Sequence, residues 1–376
     1  LINGEIPSLG CDFERQEEVF GAAFAILRNA ISDQAFPAAS IAVTHRSRVV
    51  ALKGFGHFTY EADSPIVNGS VLFDLASLTK VVATTSMAML LYQRGLLDLD
   101  APVASLVPEF VLQPARDSRR KGVTFHTLLA HSSGLPAYGK LFMHNRTRDE
   151  LLHSALTMPL VADPGSHAEY SDIGFIILGM ALERLAAESL DSFCQREIFA
   201  SLGLIDTGFN PPRAIRERIA PSADDRTFRQ RVIQGEVQDE NASVMGGVAG
   251  HAGLFSTAVD LAQFAEMMLR GGAPIFREQT VCRFSCRETA PSGTSRALGW
   301  DTPAEPSQSG KYFSSSSFGH LGYTGTSLWI DPTRQMSVTL LTNRTWPDCS
   351  NHAIKEIRPR FHNAVVEGLQ AQRWEK

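Results

Sequence analysis

Ser77 and Lys80 stand three residues apart in FDLASLTKVVATTSMAMLLYQRG, residues 73–95. On a helix, positions i and i+3 share a face, so the Lys80 ammonium reaches the Ser77 hydroxyl. A serine at a helix start has the positive end of the macrodipole beside it and a backbone N–H where an oxyanion would form. This is the chemistry of a nucleophilic serine with a basic partner. The S-x-x-K pattern occurs once more, at Ser118 and Lys121, but there it lies in the polar run RDSRRKG, with no helix expected to fix its geometry. Lys80, flanked by Leu78, Val81 and Val82, would be costly to bury without a task.

Tyr170 supplies a second element. It alone among the six tyrosines has Asn or Asp two residues later, in Tyr170-Ser171-Asp172, just before the apolar run IGFIILGMALERLAAE. A phenol near a lysine ammonium is expected to lose its proton below the reference pKa of about 10 and to act as a general base. The third element is GHLGYTGTSLWIDP, 319–332. Its small residues let a substrate amide pair along a strand edge, and its backbone offers a second oxyanion donor. Other signatures fail: there is no G-x-S-x-G elbow and no H-E-x-x-H helix, and GLPAYGK at 134–140 lacks the Ser/Thr of a phosphate loop. In GGVAGHAG, 246–253, the glycines suit a tight turn.

These groups need a scaffold, and hydrophobic periodicity outlines one. Residues 13–34 read as an amphipathic helix, 39–45 and 48–55 as two strands. Helices follow at 77–94, 125–131, 171–189, 191–201 and 257–270, then strands at 318–325, 326–332 and 336–343, and a closing helix at about 352–372. The stretches 211–241 and 291–317 read as loops. Strands at both ends imply an α/β (α+β) fold: an antiparallel sheet of N- and C-terminal segments, flanked by terminal helices, with a mainly helical insertion. The expected division is 1–70 plus 250–376 for the sheet region and 71–249 for the helical region, forming one catalytic unit.

Composition narrows the function classes. The 376 residues are 44% hydrophobic and 20% charged, with a formal charge of −5, which gives nucleic acid no electrostatic footprint. No apolar run is long enough to span a bilayer, and the start LINGEIPSLGCDFERQEE lacks the layout of a signal peptide; cytoplasm and export both stay open. Five cysteines, Cys11, Cys194, Cys282, Cys286 and Cys349, do not make a disulfide scaffold, and Cys282 with Cys286 lacks two further ligands for zinc.

The three elements, in this order and spacing, resemble the serine β-lactamase and penicillin-binding-protein superfamily. Within it they resemble the class C-like branch, which also holds D-Ala-D-Ala carboxypeptidases, peptidoglycan amidases and family VIII carboxylesterases. The resemblance runs from about residue 15 to 370 and includes LLAHSSGLP (128–136), YSDIGFIILG (170–179) and GHAGLFSTAVDLAQF (250–264). It implies Ser77 as acylating nucleophile, Lys80 as base or base-tuning cation, and Tyr170 as activator of Ser77 or of the deacylating water. The oxyanion hole would be the N–H groups of Ser77 and Tyr323. Asp172 falls where the family often has Asn, and His320-Leu321-Gly322 where penicillin-recognising members have Lys-Thr/Ser-Gly. His320 is then expected beside the substrate and partly charged near neutral pH, Asp172 adds negative charge, His251 is a candidate pocket wall, and Arg344 a candidate replacement cation, against the reading of a solvated strand-end arginine.

The expected function is therefore a serine hydrolase acting through an acyl-enzyme, first of all a β-lactamase-like carboxylesterase. The alternatives are a peptidoglycan peptidase or amidase, a weak class C β-lactamase, or a degenerate penicillin-fold scaffold. No cofactor and no metal are expected. The partner is a small ester, amide or peptidoglycan fragment, with oligomeric state open.

Overall fold

The computed structural model describes residue 6, residues 8–112 and residues 117–371. The first helix, α1 (Gln16–Ser32), leads into strands β1 (Ala38–His45) and β2 (Arg48–Gly56). Helices α2 (Ser86–Gln93), α3 (Asp172–Ala186) and α4 (Ala258–Leu269) belong to the middle of the chain. Strands β3 (Phe318–Leu321), β4 (Ser327–Asp331) and β5 (Met336–Thr342) then precede α5 (Ile354–Ala371). Residue 372, expected in that last helix, lies outside the described residues, as does most of the extreme N-terminus.

The six-stranded sheet runs Gly10–Cys11, β2, β1, β5, β4, β3. All its pairings are antiparallel except that of Gly10–Cys11 with β2. Ile41 sits opposite Leu340, which sits opposite Ser327, and Leu328 sits opposite His320. Both faces of the sheet are covered, so β1, β4 and β5 are buried almost throughout, including small polar residues such as Ser40, Thr44, Ser337 and Thr339. Ile41, Val43, Trp329, Val338 and Leu340 point into a core with Phe20, Phe24, Phe361 and Val365 of the two terminal helices. Their neighbours Ala42, Leu328, Ile330 and Leu341 point the other way, into a second core shared with Val81, Phe175, Ile177 and Leu261. Period-two alternation thus joins the sheet to helices on both sides.

Between Ala76 and Gln93 the chain is helical throughout, but not uniformly so. A 3-10 turn (Ala76–Leu78) and a π-helical run (Lys80–Thr85) precede α2. Two expectations change here. The polar stretch 211–241 is not a plain loop: it holds a 3-10 turn (Arg213–Arg218), a hairpin of Ala223–Asp225 with Arg231–Ile233, and a helix, Glu240–Val244. Asp225 folds it, accepting hydrogen bonds from the backbone of Thr227, Phe228 and Arg229 and from the Arg229 guanidinium. Ser118 is not in irregular chain either, since Asp117 caps a 3-10 turn over Ser118–Gly122. That turn is fixed by Arg120, buried over the Phe110 ring and bonded to the carbonyls of Phe110, Leu156 and Met158.

Candidate active site

Ser77 is positioned by a short strand. Phe73–Asp74 pairs with Leu254–Ser256, and the Asp74 carboxylate accepts the N–H of Ala76 at 2.8 Å and of Gln238 at 2.6 Å. Burial raises the pKa of that carboxyl to about 6 against these hydrogen bonds. Ala76 takes a φ of +48°, a left-handed conformation that costs a side-chain-bearing residue free energy and turns the next residue sharply. Ala76 and Leu78 are buried, while Ser77 remains partly open.

Lys80 is fully buried. Its three ammonium protons meet three acceptors: Ser77 Oγ at 3.0 Å, Asp172 Oδ1 at 2.6 Å and the His251 carbonyl at 3.0 Å. The Tyr170 and Phe175 rings lie against it at 4.9 and 5.7 Å. Burial pushes its pKa below the ordinary 10.5, and Asp172 opposes that shift. The His251 carbonyl arrives by close backbone packing. A Cβ on Gly250 would meet the Phe175 carbonyl at 2.1 Å, and Thr84 Oγ1 donates to the Gly250 carbonyl at 2.7 Å.

The Tyr170 hydroxyl lies 2.7 Å from Ser77 Oγ and 3.1 Å from Asp172 Oδ1. Its phenol does not have the lowered pKa expected beside a lysine. Burial and then Asp172 push it well above 10, because the carboxylate that neutralises Lys80 also faces the phenol. His131 orients this corner. Its Nδ1 accepts the Ser171 N–H at 3.0 Å and its ring packs 4.8 Å from that of Tyr170; burial keeps it well below its usual pKa and neutral.

The turn between β3 and β4 closes the other side. Thr324 and Thr326 hydroxyls donate to the Asp74 and Leu75 carbonyls at 2.7 and 2.9 Å. Gly322 permits that approach, since a Cβ there would meet the Leu75 carbonyl at 2.5 Å. Among the described residues, neither the Ser77 nor the Tyr323 N–H donates a hydrogen bond to the protein. Two buried arginines hold this turn from behind. Arg358 donates to the carbonyls of Gly322, Gly325 and Thr326, and Arg344 to those of Tyr323, Cys349 and Asn351.

Ser77, Lys80, Tyr170 and Asp172 thus come together, with the Tyr323 turn tied to the same segment. Three expectations are revised. His320 is buried, its Nδ1–H donates to the Leu321 carbonyl at 2.7 Å, and burial holds it neutral, so it is no partial cation. His251 is no pocket wall but a buried residue whose Nε2 is bonded to Asp239 at 2.9 Å. Arg344 is neither solvated nor available, being committed to three carbonyls with its guanidinium 4.3 Å from the Tyr323 ring. Sequence reasoning missed His131, Asp239 and Arg296, whose guanidinium lies 5.7 Å from the Tyr170 ring. His131 left a trace in LLAHSSGLP; the other two lie in polar stretches with no pattern. No group of three or more His, Cys, Asp or Glu able to hold a metal occurs among the described residues.

The family model described as Beta-lactamase matches residues 21–357. A Bacillus subtilis (strain 168) protein named N-acetylmuramyl-L-alanine amidase is 32% identical over 345 residues, covering 82% of this chain and 77% of its own. A Salmonella agona (strain SL483) protein named "Putative D-alanyl-D-alanine carboxypeptidase" is 30% identical over 373 residues, covering 90% of this chain and 84% of its own. The structure of EstCE1, a hydrolase with promiscuous acyltransferase activity, superposes with a TM-score of 0.75 at 20% identity, covering 93% of this chain and 98% of that one; that likeness is one of fold. On the extent of the family match, the chain belongs to the beta-lactamase family.

Proposed function

We propose that the protein is a serine acyl hydrolase that forms a covalent acyl-enzyme on Ser77. The observation that carries this reading is the contact of Ser77 Oγ with both Lys80 Nζ at 3.0 Å and the Tyr170 hydroxyl at 2.7 Å, beside two uncommitted N–H groups. Lys80 donates to Ser77 Oγ, which leaves the serine proton free to go to Tyr170. The raised pKa of the phenol disfavours a free phenolate, so Tyr170 passes its own proton to Asp172 Oδ1 as it receives that of Ser77. The Ser77 Oγ–carbon bond forms, the carbonyl oxygen becomes an oxyanion facing the N–H groups of Ser77 and Tyr323, and the proton returns through Tyr170 to the leaving group. Water then repeats the attack and releases the acid. Residues from the sheet and from the helical middle act as one catalytic unit.

An ester is the first substrate reading. The segment His320-Leu321-Gly322 offers neither a strand cation nor a hydroxyl, which disfavours efficient penicillinase action. A peptidoglycan amide or peptide is the second reading, supported by the names of the relatives at 32% and 30% identity. Ser77→Ala should abolish hydrolysis of a short p-nitrophenyl ester and the mass shift produced by a fluorophosphonate, whereas Ser118→Ala should retain both. Full activity in the Ser77 variant would remove the assignment.

A further inference from the structure

Of the five cysteines, Cys194 is buried, and Cys11 and Cys349 are exposed. Cys282 and Cys286 are exposed together, with their Sγ atoms 3.6 Å apart. Cys282 lies in the last turn of the helix Glu278–Ser285, and Cys286 ends it. The Cys286 N–H donates to the Cys282 carbonyl at 3.1 Å, so their Cα atoms stand one helical turn, about 6 Å, apart, within the span of a disulfide. Cys286 has left the helix, with φ −73° and ψ 136°, which lifts the limits that a helix sets on its rotamers. Partial burial, then the hydrogen bond to Cys282, raises the Cys286 thiol above its usual pKa. Cys286 therefore keeps the shared proton, and Cys282 is the sulfur poised to attack.

The residues that follow Cys286 tie this helix end to its surroundings. Arg287 donates to Thr302 Oγ1 at 2.7 Å and to the Pro303 carbonyl. The Glu288 carboxylate accepts from Arg283 at 2.5 Å and is bonded to His126 Nε2 at 3.0 Å, and the Glu288 N–H donates to the Arg296 carbonyl at 2.8 Å. From the other side, the Leu298 N–H donates to the Phe284 carbonyl at 3.1 Å. Arg296 pairs through its backbone with Asp301, which pairs in turn with Gly319 of β3, and the Arg296 guanidinium lies 5.7 Å from the Tyr170 ring. The helix end thus braces the 295–302 turn, which borders the Tyr170 corner of the site. Neither thiol belongs to the acyl-transfer machinery.

We propose that Cys282 and Cys286 are a dithiol site that exchanges with low-molecular-weight disulfides, and that the bond it forms holds the helix end in its brace on the 295–302 turn. The Cys282 thiolate attacks one sulfur of the small disulfide, forming a mixed disulfide and expelling one thiolate. Cys286 then attacks Cys282 Sγ and expels the second. The two protein thiols give up two electrons and two protons, and the small disulfide leaves as two thiols. Helix ends fray at their last turn. A covalent link across that turn suppresses the opening in which the ties of Arg287 and Glu288 are lost.

The test incubates the reduced protein with glutathione disulfide and follows it by mass spectrometry. Trypsin cuts after Arg283, between the two cysteines, so a closed pair should leave peptides 278–283 and 284–287 joined with the loss of two hydrogens. Dithiothreitol should separate them. Cys286→Ser should stop at a glutathione adduct on Cys282. Amide hydrogen exchange then reads the brace: segment 286–302 should exchange about threefold or more slowly in the oxidised than in the reduced wild type. Cys286→Ser treated alike reports what the remaining cysteines contribute, and should show no such slowing. Unreacted thiols, or lasting separate adducts on Cys282 and Cys286 in the wild type, would overturn the dithiol site. A joined pair with unchanged exchange over 286–302 would overturn the brace.

Discussion

Asp172 faces the two groups that contact Ser77, and its carboxylate makes different demands on each. It lowers the cost of burying Lys80, which burial alone would push towards neutrality, and it raises the pKa of Tyr170. A phenol held above its ordinary pKa is a poor standalone base but a good relay when a carboxylate sits behind it. Tyr170→Phe should therefore lower kcat by about 10² or more, and Asp172→Asn by a similar factor. In a shared relay the double variant loses no more than Tyr170→Phe alone, because groups that act as a unit are non-additive; additive losses would exclude the relay. Asp172→Asn also has a signature in stability. With the counterion gone, the folded-state pKa of Lys80 drops further below 10.5, so across that gap the unfolded chain binds more protons. Stability of the variant should climb as pH rises towards 10.5, over a wider range than in the wild type. A Tm series from pH 6 to 10 measures this, and parallel curves for the two proteins would contradict the pairing.

The β3–β4 turn shows how an element can be tuned by groups that never meet the substrate. Among the described residues Arg358 has no carboxylate partner in its hydrogen bonds, only the carbonyls of Gly322, Gly325 and Thr326, which fixes the path of the backbone around Tyr323. Arg358→Met should lower kcat about tenfold or more with a smaller change in KM, since a displaced oxyanion donor weakens the transition state more than ground-state binding. A change confined to KM would assign the turn to substrate binding instead. Nothing in the sequence marked Arg358, because its role depends on α5 lying across a distant turn. Legibility follows the same division elsewhere. Ser77 and Lys80 were readable because i, i+3 spacing is local, and β1, β4 and β5 because short runs rich in Ile, Val, Leu, Trp and Thr between turn residues mark strands. The hairpin at 223–233 was hidden because a buried Asp225–Arg229 pair, rather than apolar periodicity, stabilises it. Arg296 was hidden because its loop acquires meaning only when paired to β3.

At the scale of the molecule, the site lies where sheet and helical middle meet, and its two halves share their interior. One core contains Leu328, Ile330 and Leu341 from the sheet together with Val81, Phe175 and Ile177 from the helical part. Polar ties cross the same boundary. The buried Asn343 side chain accepts from the Ala38 N–H at 3.1 Å and donates to the carbonyls of Phe58 and Pro221, each at 2.9 Å. Neither half can open without stripping water-excluding contacts from the other, so we expect one cooperative unfolding transition. Far-UV circular dichroism, weighted to the helices, fluorescence of the buried Trp300 and Trp329 near the sheet, and ester hydrolysis should give the same denaturant midpoint. Asn343→Ala strands three buried backbone groups at once, each worth about 1–3 kcal/mol when left unsatisfied. It should shift all three curves together to lower denaturant. If activity and fluorescence instead fell at separate midpoints, the sheet and the helical middle would be independent folding units, and the acyl-enzyme chemistry would depend on their docking.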